Sequence, residues 1–144
     1  MTDGHPTLIP ELAVTDWQIS RAFYCDLIGF DVAYARPEDG FAMLSLGAAR
    51  LMIDQIGIGR TFEDQHLPTS PPFGRGMNLQ IEVCALQPIL DRLASAQYPL
   101  TLQPEQAWYR KGDEALGQRQ FVVADPDGYL LRLFEPLGSR AATT

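Results

Sequence analysis

The residues able to do chemistry are few and scattered. The chain of 144 residues holds two histidines, His5 and His66, and two cysteines, Cys25 and Cys84. His5 stands near the start and His66 in a stretch rich in Gly and Pro, so neither has a second ligand at metal-binding spacing. The cysteines lack C-x-x-C spacing and a histidine close in sequence, which reads as small apolar packing rather than as a nucleophile. There is no G-x-S-x-G elbow, no P-loop and no G-x-G-x-x-G, and Gly57-Ile58-Gly59-Arg60 reads as linker. What remains is charge and aromaticity. Eighteen Asp and Glu against eleven Lys and Arg leave a formal charge of −7, which argues against a phosphate-tracking nucleic-acid binder and suits cationic partners. Trp108-Tyr109 in a polar stretch offers either a stacking platform or an anchor on the core.

Elements must hold these groups in place. Hydrophobic residues at 46% and charged residues at 20% are globular values, and a chain of this size buries enough surface to need no disulfide or metal staple. Prolines 6 and 10 interrupt the opening MTDGHPTLIPEL, so no signal peptide is read. No apolar run approaches the roughly 18 residues of a membrane span. A cytoplasmic, reducing setting is expected. Residues 7–15 read as a strand. Asp16 then caps a helix whose apolar stripe is Ile19, Ala22, Phe23 and Leu27, and Gly29 ends it. Strands follow over 30–35, 41–47 and 49–56. Residues 57–76 form a linker. A strand over 77–83 alternates cleanly, and a helix over 86–96 shows Leu86, Ile89, Leu90 and Leu93 on one face. A short strand over 98–103, a polar loop over 104–117 and a hairpin around Asp125-Pro126-Asp127-Gly128 complete the chain, with both aspartates serving the turn.

The order strand, helix, strand, strand, strand thus occurs twice. Val14 matches Val83 and Ser20 matches Ile89, both 69 positions on, while Gly47 and Gly128 lie 81 apart. The expected fold is α+β, with two βαβββ modules forming a curved, cleft-bearing mixed sheet. Module one covers 1–56, the linker 57–76 and module two 77–144, in one compact domain. Strand parity puts Ile9, Glu11, Ala13, Arg50, Met52 and Asp54 on the concave wall of the first module. In the second it puts Asn78, Gln80, Glu82, Leu130, Arg132 and Phe134 there. Such a mixed wall suits an amphipathic organic ligand.

ELAVTDWQISRAFYCDLIGF and FVVADPDGYLLRLFEP resemble the opening and closing signatures of the vicinal oxygen chelate superfamily, which includes glyoxalase I, extradiol dioxygenases and bleomycin-resistance proteins. The resemblance runs over about residues 7–137 and implies the paired βαβββ fold and a homodimer, which would cover the open flank of each concave sheet. In the enzymes of that superfamily a divalent metal sits on His, Glu or Gln at four strand positions. The matching residues here are Ile9, Met52, Asn78 and Arg132, which do not form a metal set. No metal and no cofactor are therefore expected. The chain looks most similar to the bleomycin-resistance branch, whose members sequester a bulky cationic ligand in acidic, aromatic clefts without transforming it. Carried over on that resemblance, the ligand-binding candidates are Glu11, Phe41, Met52, Asp54, Asn78, Gln80, Trp108, Tyr109, Arg132 and Phe134, with Glu82 as a further acid. The alternative is a metal-dependent glyoxalase- or dioxygenase-like enzyme with a diverged metal site.

Overall fold

The computed structural model describes residues 6–143. Eight strands form two four-stranded mixed sheets. The first holds β1 (Glu11–Val14), β2 (Asp31–Arg36), β3 (Phe41–Leu46) and β4 (Ala49–Gln55), in the order β1-β4-β3-β2. The second holds β5 (Asn78–Glu82), β6 (Leu102–Lys111), β7 (Glu114–Ala124) and β8 (Leu130–Ala141), in the order β5-β8-β7-β6. In each sheet the first strand pairs parallel with the last, and the remaining pairs are antiparallel. This is the expected βαβββ unit, present twice.

The first helix, α1 (Trp17–Ala22), continues as a π-helical segment over Phe23–Ile28. It starts where the sequence says it should, since Asp16 accepts hydrogen bonds from the backbone N–H groups of Gln18 and Ile19. It stops at Gly29, whose φ of 108° lies in the left-handed region that a side chain disfavours. The second helix, α2 (Gln87–Ser95), has no side-chain cap of its own. Instead Glu135 of β8 accepts a hydrogen bond from the Leu86 N–H at 3.0 Å. That contact gives Glu135 a structural role.

The core follows strand parity. Leu12 and Val14, Leu51 and Ile53, and Leu131 and Leu133 are all buried, while their alternate neighbours stay partly open or polar. Phe23, Tyr24 and Ile28 fill the first unit, and Leu86, Ile89 and Leu93 of the α2 region fill the second. Leu79, by contrast, is only half-buried.

The chain clusters into two compact units. The first runs to Arg75 and also takes in Asp125–Tyr129; the second comprises Gly76–Ala124 and Leu130 onward. Residues 57–75 therefore pack with the first unit, and so does the β7–β8 turn. That turn does more than close a hairpin. Asp125 accepts from the N–H groups of Asp127 and Tyr129, as a turn aspartate does, and its other oxygen accepts from the Tyr24 hydroxyl at 2.7 Å. Asp127 accepts from the Thr15 hydroxyl and N–H, and the Tyr129 hydroxyl donates to the Ala13 carbonyl. Burial raises the Asp125 carboxyl to about 6 against these hydrogen bonds, and raises the Tyr129 phenol to about 12.

Two expectations are corrected. Residues 104–117 are not a loop. They lie in the long strands β6 and β7, joined at Gly112-Asp113, and β8 runs on to pair Gly138–Ala141 with Glu114–Gly117. Most of β6 is exposed on both faces, so it carries no apolar alternation for a sequence reading to detect. Cys84 is exposed rather than packed in the core, while Cys25 is half-buried with its thiol pushed up by burial.

Candidate functional site

In the first unit, register puts the candidates on one face. Glu11 lies opposite Met52, Met52 opposite Met43, and Met43 opposite Tyr34. The next row runs Ala13, Asp54, Phe41, Arg36. Glu11, Met52, Asp54 and Phe41 are thus brought together by strand alternation.

Their environments differ. Asp54 is 2% exposed, and its Oδ2 is buried without a donor group beside it. The carboxyl it meets is that of exposed Glu11, diagonally across in the neighbouring row. Two carboxyls in hydrogen-bonding contact must share a proton, so the contact raises Glu11 to about 7. Burial and the Asp54 charge act in the same direction, and Arg60 acts against them. Asp54 also lines a cavity of about 300 Å³ with Arg36, Asp39, Ile58, Gly59 and Arg60.

Phe41 is buried at 3% exposure. Its ring is covered by the Arg36 guanidinium, 4.0 Å from the centroid, and flanked by Tyr34 at 5.9 Å. Arg36 is itself held by Asp39 at 3.2 Å. A cation stacked on an aromatic ring beside carboxylates is therefore already built into this face. Sequence reading did not single out Tyr34, Arg36 or Arg60. Pairing with β3 reveals Tyr34 and Arg36, because β2 is exposed along its whole length and shows no periodicity, and Arg60 enters only as a lining residue of the cavity.

In the second unit, Asn78 pairs with Leu130, Gln80 with Arg132 and Glu82 with Phe134, so Asn78, Gln80, Arg132 and Phe134 share a face. Across β8 and β7, Arg132 faces Val122 and Phe134 faces Gln120. Gln120 is buried and central. Its amide accepts from Gln118 at 2.6 Å and donates to Glu105 at 2.9 Å and to the Tyr109 hydroxyl at 2.7 Å. Tyr109 thus joins the face through Gln120. Trp108 does not. It stands on the opposite side of β6, with its ring against Gly117 and the Arg140 guanidinium 3.9 Å above it. The network of Gln118, Gln120 and Glu105 escaped the sequence reading. Its one trace was two glutamines alternating into an apolar strand that ends Phe121-Val122-Val123.

The donor chemistry does not fit a resident divalent metal. At the four positions that the resemblance points to stand Ile9, Met52, Asn78 and Arg132. Met52 sits among Met43 and Glu11, and Arg132 places a fixed positive charge between Gln80 and Val122. An aliphatic group, a thioether, an amide and a guanidinium offer no hard anionic set. Among the described residues, no three His, Cys, Asp or Glu side chains cluster as a metal would require. None of the helices described is long and apolar enough to cross a membrane.

Comparison with known proteins agrees with this architecture. The bleomycin resistance protein of Geobacillus stearothermophilus is 28% identical over 138 residues, spanning 91% of this chain and 97% of that protein. The Staphylococcus aureus bleomycin resistance protein matches to the same extent. Among solved structures, a virulence protein from Salmonella typhimurium superposes with a TM-score of 0.65 at 18% identity, covering 94% of this chain and 98% of that one. A glyoxalase/bleomycin resistance protein/dioxygenase from Alicyclobacillus acidocaldarius gives 0.61 at 14% identity, covering 95% and 96%. Both share the fold. The profile of one family matches residues 4–133, nearly the whole chain, and the protein belongs to that family, the glyoxalase/bleomycin resistance protein/dioxygenase superfamily.

Proposed function

We propose that this protein binds a bulky ligand carrying a cationic group and flat aromatic parts, of the bleomycin type, and holds it without transforming it. The observation that carries this reading is the Asp54 carboxyl, buried with one oxygen lacking a donor, beside Glu11 and open to a cavity of about 300 Å³. A buried acceptor without a donor is costly, and a cationic ligand group supplies both charge and donor. The cavity suits one end of a large ligand rather than all of it. The Arg36–Phe41 stack supports the same reading, because it shows this face accommodating a guanidinium on an aromatic ring. The kinship with bleomycin resistance proteins supplies the ligand class.

The reading places the protein in the cytoplasm, as a homodimer with a metal-free cleft. What supports the dimer is β2, which is exposed over all six residues and leaves Val32 and Tyr34 open, an edge that a second copy would cover. The test is calorimetric titration with metal-free and Cu²⁺-loaded bleomycin, alongside light scattering for the dimer. Saturable binding that weakens in Asp54→Asn is the expected result. No heat at high micromolar ligand rules out the antibiotic as ligand.

A further inference from the structure

We infer that Arg132 is the anchor of an anion-binding subsite on the second unit, and that the group it takes is a carboxylate or phosphonate attached to an aromatic ring. The inference rests on what surrounds this guanidinium. Leu131 and Leu133 on either side are fully buried in the core, so Arg132 projects from the other face of β8, where it is half-buried. Its neighbours across the ladder are Gln80 on β5 and Val122 on β7, an amide and an aliphatic group. Among the described residues no carboxylate lies within ion-pair distance of it.

The acids on the same face are otherwise placed. Glu105 accepts from Gln120, and Glu82 stands opposite Phe134, one pair further along the sheet. Other arginines of this unit show the contrast. Arg119 pairs with Glu135, Arg110 donates to the Gly112 carbonyl, and Arg140 lies over Trp108.

A partly desolvated guanidinium without a counter-ion is unfavourable, and folding alone gives no reason to keep one. A bound anion removes that cost, and the planar fork of Arg matches two oxygens at once. Phe134 follows two residues on, half-buried on the same face, and gives a ring attached to the anion an apolar surface. The Gln80 amide beside the guanidinium supplies a further donor. This subsite is built from residues of the second unit alone, and the inference stands whether or not the cationic ligand is the right one.

The experiment titrates the full-length protein with benzoate and phenylphosphonate, using benzamidine as a cationic control of the same size. Affinity is read by calorimetry and by chemical shifts of the Gln80 side-chain amide. Wild type is expected to bind both anions. Arg132→Gln should weaken them at least about ten-fold, the loss of a charge-assisted bidentate contact, while Arg132→Lys keeps part of the affinity. Arg132→Met should lose anion binding yet melt at a higher temperature than wild type, because an unpaired half-buried charge is gone. Benzamidine binding should depend on Glu11 and Asp54 and be indifferent to Arg132. Anion binding unchanged in both Arg132→Gln and Arg132→Met, or absent in wild type, overturns the inference. Loss of benzamidine binding alone counts against the cationic reading and leaves this one standing.

Discussion

The buried contact between Tyr24 and Asp125 makes a pH-dependent prediction that can be worked through. Asp125 is 4% exposed, and its carboxyl is raised to about 6 from an ordinary 3.8, mainly by burial. Between those two values the folded chain holds a proton that the unfolded chain has released. Stability is therefore greatest at and below pH 3.8 as far as this group is concerned, and falls as pH rises to about 6. The full effect is about 3 kcal/mol at 1.36 kcal/mol per pKa unit.

Asp125→Asn keeps an oxygen for the two backbone donors and cannot ionise. Its stability should lose this slope, and at pH 7 it should equal or exceed wild type. Tyr24→Phe leaves the ring stacked edge-on against Phe23 and Phe30, at 5.1 and 5.6 Å, and removes only the hydroxyl. That deletes a hydrogen bond to a charged group, worth about 1.5–3 kcal/mol. It should also steepen the pH dependence, because the ionised carboxylate loses a donor that lowers its pKa. Urea unfolding followed by Trp17 and Trp108 fluorescence, from pH 4 to 8, measures both. Wild type and Asp125→Asn with parallel stability curves across that range would refute the argument, as would a Tyr24→Phe cost that is the same at pH 4.5 and pH 8.

Three further outcomes are expected. Glu11, raised to about 7 by its contact with Asp54, should make capture of a cationic ligand tighten by up to about ten-fold from pH 6 to 8, and Glu11→Gln should flatten that rise in a calorimetric pH series. Gly128→Ala should destabilise by roughly 2–4 kcal/mol, because φ is +97° and an added Cβ would meet Pro72 Cβ at 2.5 Å; thermal melting reads it directly. Gln120→Leu strips partners from Gln118, Glu105 and Tyr109, and should cost about 1–3 kcal/mol in chemical denaturation.

The sequence by itself determined whatever depends on local period and local caps. Asp16 and Gly29 bound the first helix, and Leu12/Val14, Leu51/Ile53 and Leu131/Leu133 mark the buried parity of their strands. The repeat needed only the order of elements, since the spacing between matching positions grows from 69 to 81 along the chain. The same parity argument placed Glu11, Met52 and Asp54 on one face, because a strand alternates whatever it pairs with. Only the tertiary structure decided which strands lie side by side, and so which groups touch. It put Arg36 over Phe41, hydrogen-bonded Glu11 to a buried Asp54, and set Trp108 on the face away from Tyr109. It extended β6 and β7 through a stretch with no apolar alternation, since a strand exposed on both sides is held by ladder hydrogen bonds rather than by side-chain burial. It also gave the turn aspartates partners more than one hundred residues away, Tyr24 and Thr15. A carboxylate's role is set by which donors reach it and how much water is left around it, and neither is written in its local sequence.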